Sequence, residues 1–219
     1  MERAIESNYP PVANDLAMRI YAARAAMADV YSDSSHQFAW VGCEIALLQI
    51  RKICELFLLR STLAHINEGG HVLNETKWRP KDAFAQLDKI NDHPLPIPIV
   101  VETDKHGPGA HHISPLSRPI LFSELNLIYG KCGELLHVPT ARDVSRGRQQ
   151  EFDVTLISEW IEAFEKIIMA HVLMLPKRDK ILLCRWSGSA AQLPELTLLN
   201  SLGESTLELE SLPQYHFRT

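Results

Sequence analysis

Between Ser34 and Ile66 the chain runs for more than thirty positions with no proline and a single glycine, Gly42. A stretch of that length without a helix breaker, carrying Phe38, Trp40, Val41, Ile45, Leu47, Leu48, Ile50, Ile53, Leu56, Phe57, Leu58, Leu59 and Leu63, reads as one long helix. These residues fall on nearly every side of a 3.6-residue repeat, so the helix is expected at the centre of the fold. Ser34 stands three residues before Gln37, the spacing of a capping box, and Asn67, Gly69 and Gly70 supply residues that commonly end a helix. At about 1.5 Å per residue the element spans on the order of 45 Å. A narrow polar stripe is left over: Gln37, Glu44, Arg51, Glu55 and Thr62 recur at spacings that return to nearly the same angle.

The remaining segments are organised around this rod. After Pro10 and Pro11, Asn14 can cap a first helix to about Tyr31, with Leu16, Ile20, Ala23, Met27 and Val30 on one face. Only a few residues separate it from the central helix, which predicts an antiparallel hairpin. Pro80 opens a short helix to about Ile90, turning Phe84, Leu87 and Ile90 inward. In Leu95–Val101, Pro96 and Pro98 cannot donate to a ladder, so the expectation is an edge strand or polyproline geometry, not a central strand. Thr103 to Arg118 reads as a loop.

Ser123 precedes a helix to about His137 whose buried face is Leu125, Ile128, Tyr129, Cys132, Leu135 and Leu136. Gly130 and Gly133 cost it about 1 kcal/mol each relative to alanine, which predicts close approach by a neighbour or a ligand. A long helix from about Gln149 to Met174 follows, carrying Phe152, Leu156, Trp160, Phe164, Ile167, Ile168 and His171 on its apolar stripe. Beyond Pro176, Ile181–Trp186 and Glu195–Asn200 read as a β-hairpin. The expected fold is therefore mainly α. It comprises a bundle of about five helices over 1–176 and a small C-terminal β-hairpin and tail over 177–219, packed on the same domain.

Composition narrows the function classes. With 219 residues, 46% of them hydrophobic and 22% charged, one substantial core is expected. A formal net charge of −5 argues against a surface that is positive throughout. Cys43, Cys54, Cys132 and Cys184 form no C-x-x-C pair and read as buried thiols of a reducing compartment. Glu2, Arg3 and Glu6 interrupt the N-terminus before any apolar run, and no stretch approaches a membrane span, so a cytoplasmic protein is expected. No nucleotide-binding glycine loop and no G-x-S-x-G elbow occurs, and no cofactor or metal is expected. Asp104, His106, His111 and His112 lie together in the glycine and proline loop but lack a thiolate or the H-x3-H spacing of a zinc site.

Arg60 and His65 bracket Ser61, Thr62, Leu63 and Ala64 near the end of the central helix. The pattern resembles the R-x4-6-H signature of HEPN domains, helical bundles many of which are metal-independent endoribonucleases that act as homodimers, often in toxin or defence systems. The resemblance implies Arg60 and His65 as catalytic residues and RNA as a partner: histidine would move protons near neutral pH while arginine holds the phosphate. Ser61 stands where that family usually has Asn, Asp or His. Arg142, Arg146 and Arg148 would then contact phosphates, with Arg51 and Glu55 also at the substrate. A second constellation, Tyr129, Lys131, Cys132, Leu135 and His137 together with Leu48–Glu55, resembles a pattern in uncharacterised bacterial helical proteins. It offers Tyr129, Lys131 and His137 as an alternative catalytic set, with Tyr129 sharing a polar pocket with Arg51 and Glu55. The competing expectation is a non-enzymatic helical module acting through protein contacts, in which the polar stripe only fixes packing.

Overall fold

The computed structural model describes residues 2–32, 39–65, 83, 87, 89, 95–103, 111–116, 120–137, 145, 151–175, 180–186 and 195–200. Among them the chain is mainly helical, with four delimited helices and a five-stranded antiparallel sheet. The helices are α1 (Glu2–Ser32), α2 (Ala39–His65), α3 (Phe122–Leu136) and α4 (Val154–Met169). The strands are β1 (Ile97–Thr103), β2 (His111–Pro115), β3 (Ala170–Met174), β4 (Lys180–Arg185) and β5 (Glu195–Asn200), in the order β2-β1-β3-β4-β5. No described helix is long and apolar enough to cross a membrane.

α2 is the central rod, and its strongest packing is with α1, through a seam of Leu16, Ile20, Ala23, Met27 and Val30 against Cys43, Leu47 and Ile50, all buried. Gly42 lets the two backbones approach: a Cβ there would lie 2.9 Å from the Ala26 carbonyl oxygen. Phe57 stacks on Phe164 of α4 at 5.4 Å between ring centroids, and α3 closes the other flank with Leu125, Ile128 and Cys132. Asp153 caps α4 by accepting from the Leu156 amide at 2.9 Å, and Glu124 reaches back to the Leu121 amide at 2.8 Å to hold the start of α3.

The rod is not apolar and covered all round. Trp40, Ile45 and Leu48 are 53%, 44% and 46% exposed, while everything from Phe57 to His65 is buried except the partly covered Leu59 and Leu63. The difference arises because α1, α3 and α4 leave one side of the N-terminal half open, whereas the C-terminal end runs into the sheet. Likewise α1 continues through Pro10 and Pro11, where a break was expected. Two missing amide donors cost about 3 kcal/mol each at most positions, but the penalty is local, and Ala13, Leu16 and Ala17 anchor the following turns.

The sheet is larger than a hairpin, and three expectations change with it. The long last helix stops at Met169, and Ala170–Met174 is the middle strand β3, because Val172 and Leu173 are buried on opposite faces as an extended chain allows. The expected loop over Thr103–Arg118 contains β2, paired with β1 from Ile99↔Pro115 to Thr103↔His111. β1 is internal despite Pro98 within it and Pro96 just before it. It divides its partners, using Ile97 and Pro98 against β3 and Ile99 onward against β2, so no amide that Pro98 lacks is needed in the longer ladder. The expected hairpin is present as β4 and β5, joined by Arg185–Glu195 at 3.0 Å across register partners.

One sheet face clusters Ile97, Ile99, Val172 and Leu183; the other presents Leu173, Leu182 and Cys184 to Ala64 at the end of α2. Within the expected short helix over 80–90 only 83, 87 and 89 are described; all three are helical, with Ala83 and Leu87 buried and Lys89 exposed. Phe84 and Ile90 lie outside the described residues.

Candidate functional site

The arginine and histidine of the R-x4-H pattern sit where α2 meets the sheet, and neither has any exposed surface. The Arg60 guanidinium donates from Nη2 to His171 Nε2 at 2.8 Å and to Cys184 Sγ at 3.2 Å. Since an arginine N–H can only donate, His171 Nε2 must carry its lone pair; Nδ1 then holds the proton and donates to the Ile167 carbonyl at 2.9 Å. His171 is thus a neutral imidazole of fixed tautomer. Burial, and then the adjacent Arg60 charge, hold its pKa well below 6.5. His171 and Cys184 are register partners on β3 and β4, so one guanidinium ties the helix to two strands.

His65 folds back on its own helix, donating from Nδ1 to the Ser61 carbonyl at 2.5 Å, and Thr62 does the same to Leu58 at 2.9 Å. Ser61 Oγ, at the position where a polar active-site residue was expected, is buried and bonded to nothing among the described residues. This arrangement braces helix against sheet. It offers no open face of Arg60 or His65 to a phosphate.

The second constellation assembles in part. Tyr129 of α3 faces Arg51 of α2, with Arg51 Nη2 donating to the Tyr129 hydroxyl at 2.9 Å and the guanidinium carbon 4.5 Å from the ring centroid. The hydroxyl in turn lies 3.5 Å from Glu55 Oε1. Glu55 is not held by Arg51 as an i, i+4 partner; it pairs with Lys52 at 2.8 Å. Gly133 explains itself here, because a Cβ at that position would lie 2.9 Å from Arg51 Nη1. Gly130 has nothing within 4 Å of its Cβ position, so close approach was needed at only one of the two glycines.

Lys131 is turned outward toward Glu134 at 3.8 Å, and His137 is exposed beyond the end of α3; neither joins the Tyr129 cluster. Cys54 and Cys132 lie behind Arg51, buried and reduced. Desolvation pushes the Cys132 thiol up to about 12 against the opposing pull of Arg51, and raises Cys54 well above the usual thiol range.

Arg142, Arg146 and Arg148 lie outside the described residues, as do Asp104 and His106. His111 and His112 are placed only as backbone of β2. Among the described residues no group of three or more histidine, cysteine, aspartate or glutamate side chains is placed to hold a metal ion. Sequence reasoning missed the Arg60–His171–Cys184 bridge, since a helix assignment for 149–174 put His171 on the wrong kind of element. Val172 and Leu173 fit a buried helix and a buried strand equally, so the local pattern carried no signal for the switch. Comparison of the chain with protein-family models, with curated proteins and with solved structures returns no match.

Proposed function

We propose that this chain is a non-enzymatic helical module that acts through protein contacts, built on about five helices if the segment over 80–90 forms the short fifth. The observation that carries the reading is the complete burial of Arg60 and His65. A metal-independent nuclease needs its imidazole within hydrogen-bond reach of the reacting hydroxyl and its cation on the phosphate. For RNA to reach this pair, α2 would first have to be pulled from β3 and β4. Trp40, Ile45 and Leu48, by contrast, stand in water on the same helix, and large apolar side chains grouped in this way are what a protein partner covers.

Incubation of the purified protein with total RNA, beside His65→Ala and His137→Ala, tests the reading: intact RNA is expected in all three. Cleavage lost only in His65→Ala would establish a HEPN-like RNA-acting module instead, and loss only in His137→Ala would move a site to the end of α3. As a positive arm, Leu48→Glu should keep the wild-type circular dichroism spectrum yet lose the partners that wild type retains in quantitative affinity mass spectrometry. Sedimentation over a concentration series then tells whether the partner is a second copy.

A further inference from the structure

Arg51 differs from two other described arginines that bridge elements, Arg24 and Arg185. Arg24 meets Glu165 and Arg185 meets Glu195, but Arg51 has no ion pair with a carboxylate among the described residues. Glu55, which the Tyr129 hydroxyl reaches at 3.5 Å, is engaged by Lys52. Among the described residues here, Lys52 pairs with Glu55 and Lys131 with Glu134, which leaves the Arg51 charge over. The side chain is nonetheless fixed: stacked on the Tyr129 ring, bonded to its hydroxyl, and seated over the missing side chain of Gly133. Its remaining N–H groups make no bond among the described residues and are not shut away from solvent. A half-buried guanidinium that is immobilised, un-neutralised and reachable is a preorganised donor set.

We infer that the Arg51–Tyr129–Gly133 notch is a receptor for a single oxyanion, a carboxylate or a phosphate. A guanidinium presents planar paired donors that match either group. The single net charge, with Glu55 alongside and −5 on the whole chain, suits one anionic group rather than a polyanion. Gly133 is the structural commitment to this site. In a helix it costs about 1 kcal/mol relative to alanine, and what occupies the space gained is the Arg51 guanidinium. The inference stands on this geometry whether or not the protein is an interaction module.

Arginine Nε–H resonances report it directly. With the Arg51 signal identified by its loss in Arg51→Lys, sodium acetate and sodium phosphate are titrated separately at constant ionic strength, with chloride as the balance. A saturable shift of that resonance is expected, absent in chloride alone. Saturation by acetate only assigns a carboxylate ligand, by phosphate only a phosphate ligand, and by both the shared oxyanion chemistry. Tyr129→Phe, which keeps the ring but frees the guanidinium from the hydroxyl, should weaken the saturating anion about fivefold, the worth of one hydrogen bond. Gly133→Ala should abolish saturation by displacing the guanidinium. No saturation by either anion, or saturation unchanged in Gly133→Ala and Tyr129→Phe alike, overturns the inference.

Discussion

Acidification should weaken the fold through one residue, His171, by an amount that can be worked out. In the folded chain its Nε2 accepts from Arg60 and its Nδ1–H is spent on Ile167, so a second proton would set N–H against N–H beside a guanidinium. The folded-state pKa is therefore well below 6.5, whereas the unfolded chain titrates near 6.5. Below that pH the unfolded state binds the extra proton, so stability is intact above about 6.5, falls as pH drops through it, and levels only once the folded-state pKa is passed.

Between pH 7.5 and 5.5 the unfolded state gains about RT ln 10, close to 1.4 kcal/mol, from this imidazole alone. Other groups titrate in the same window, so the effect is read as a difference. His171→Gln offers Arg60 an acceptor that cannot be protonated. Urea unfolding followed by circular dichroism at the two pH values should show wild type losing more than the variant, by up to about 1.4 kcal/mol. Equal losses in both would refute the neutral, Arg60-bonded histidine and with it the bridge between α2 and the sheet.

Phe57→Ala removes the ring stacked on Phe164 in a fully buried position and should cost about 3–5 kcal/mol in the same urea assay; a loss under 1 kcal/mol would contradict the core assignment. Gly42→Ala drives a Cβ into Val30 and the Ala26 carbonyl, so the α1–α2 hairpin must part, at about 1–3 kcal/mol by urea unfolding. Cys132, buried and with its thiol held near 12, should resist a disulfide reagent at pH 8 in the native protein and react once urea is added; rapid native labelling would mean the α2–α3 seam is open.

The parts of the fold that the sequence made legible are those where one period dominates. α2 has no proline and apolar residues recurring from Ile45 to Leu63, α1 has Leu16, Ile20, Ala23, Met27 and Val30 in phase, and β4 and β5 are short aliphatic runs bounded by turn signals. α2, β4 and β5 lie close to where those patterns put them, whereas α1 ends as expected at Ser32 but starts at Glu2, well before Asn14. The sheet was legible only at that hairpin. β1 contains Pro98 and follows Pro96, and β2 follows Gly107, Pro108 and Gly109 and ends on Pro115, so their local signal is that of a loop, and only the long-range ladder between them makes strands. The junction at Met169 was hidden for a related reason: Ile167, Ile168, Val172 and Leu173 are apolar in either state, and a short apolar run does not distinguish helix from strand.

The Arg51–Tyr129–Glu55 cluster could be anticipated because the polar stripe of α2 and the glycine of α3 each demanded a partner. Arg60 and His65 read as an open catalytic pair only because spacing along a helix says which residues share a side, and nothing about what covers that side. Here β3 and β4 do, at a separation of more than a hundred residues.

Burial of the R-x4-H pair is best tested by chemical modification of imidazoles. Diethyl pyrocarbonate treatment of the native protein, followed by peptide mass spectrometry, should modify the exposed His137 readily while His65 and His171 stay protected until the chain is unfolded. Modification of His65 in the native state at a rate comparable to His137 would place it in an open cleft, contradict the helix-to-sheet bridge, and restore the catalytic reading of Arg60 and His65.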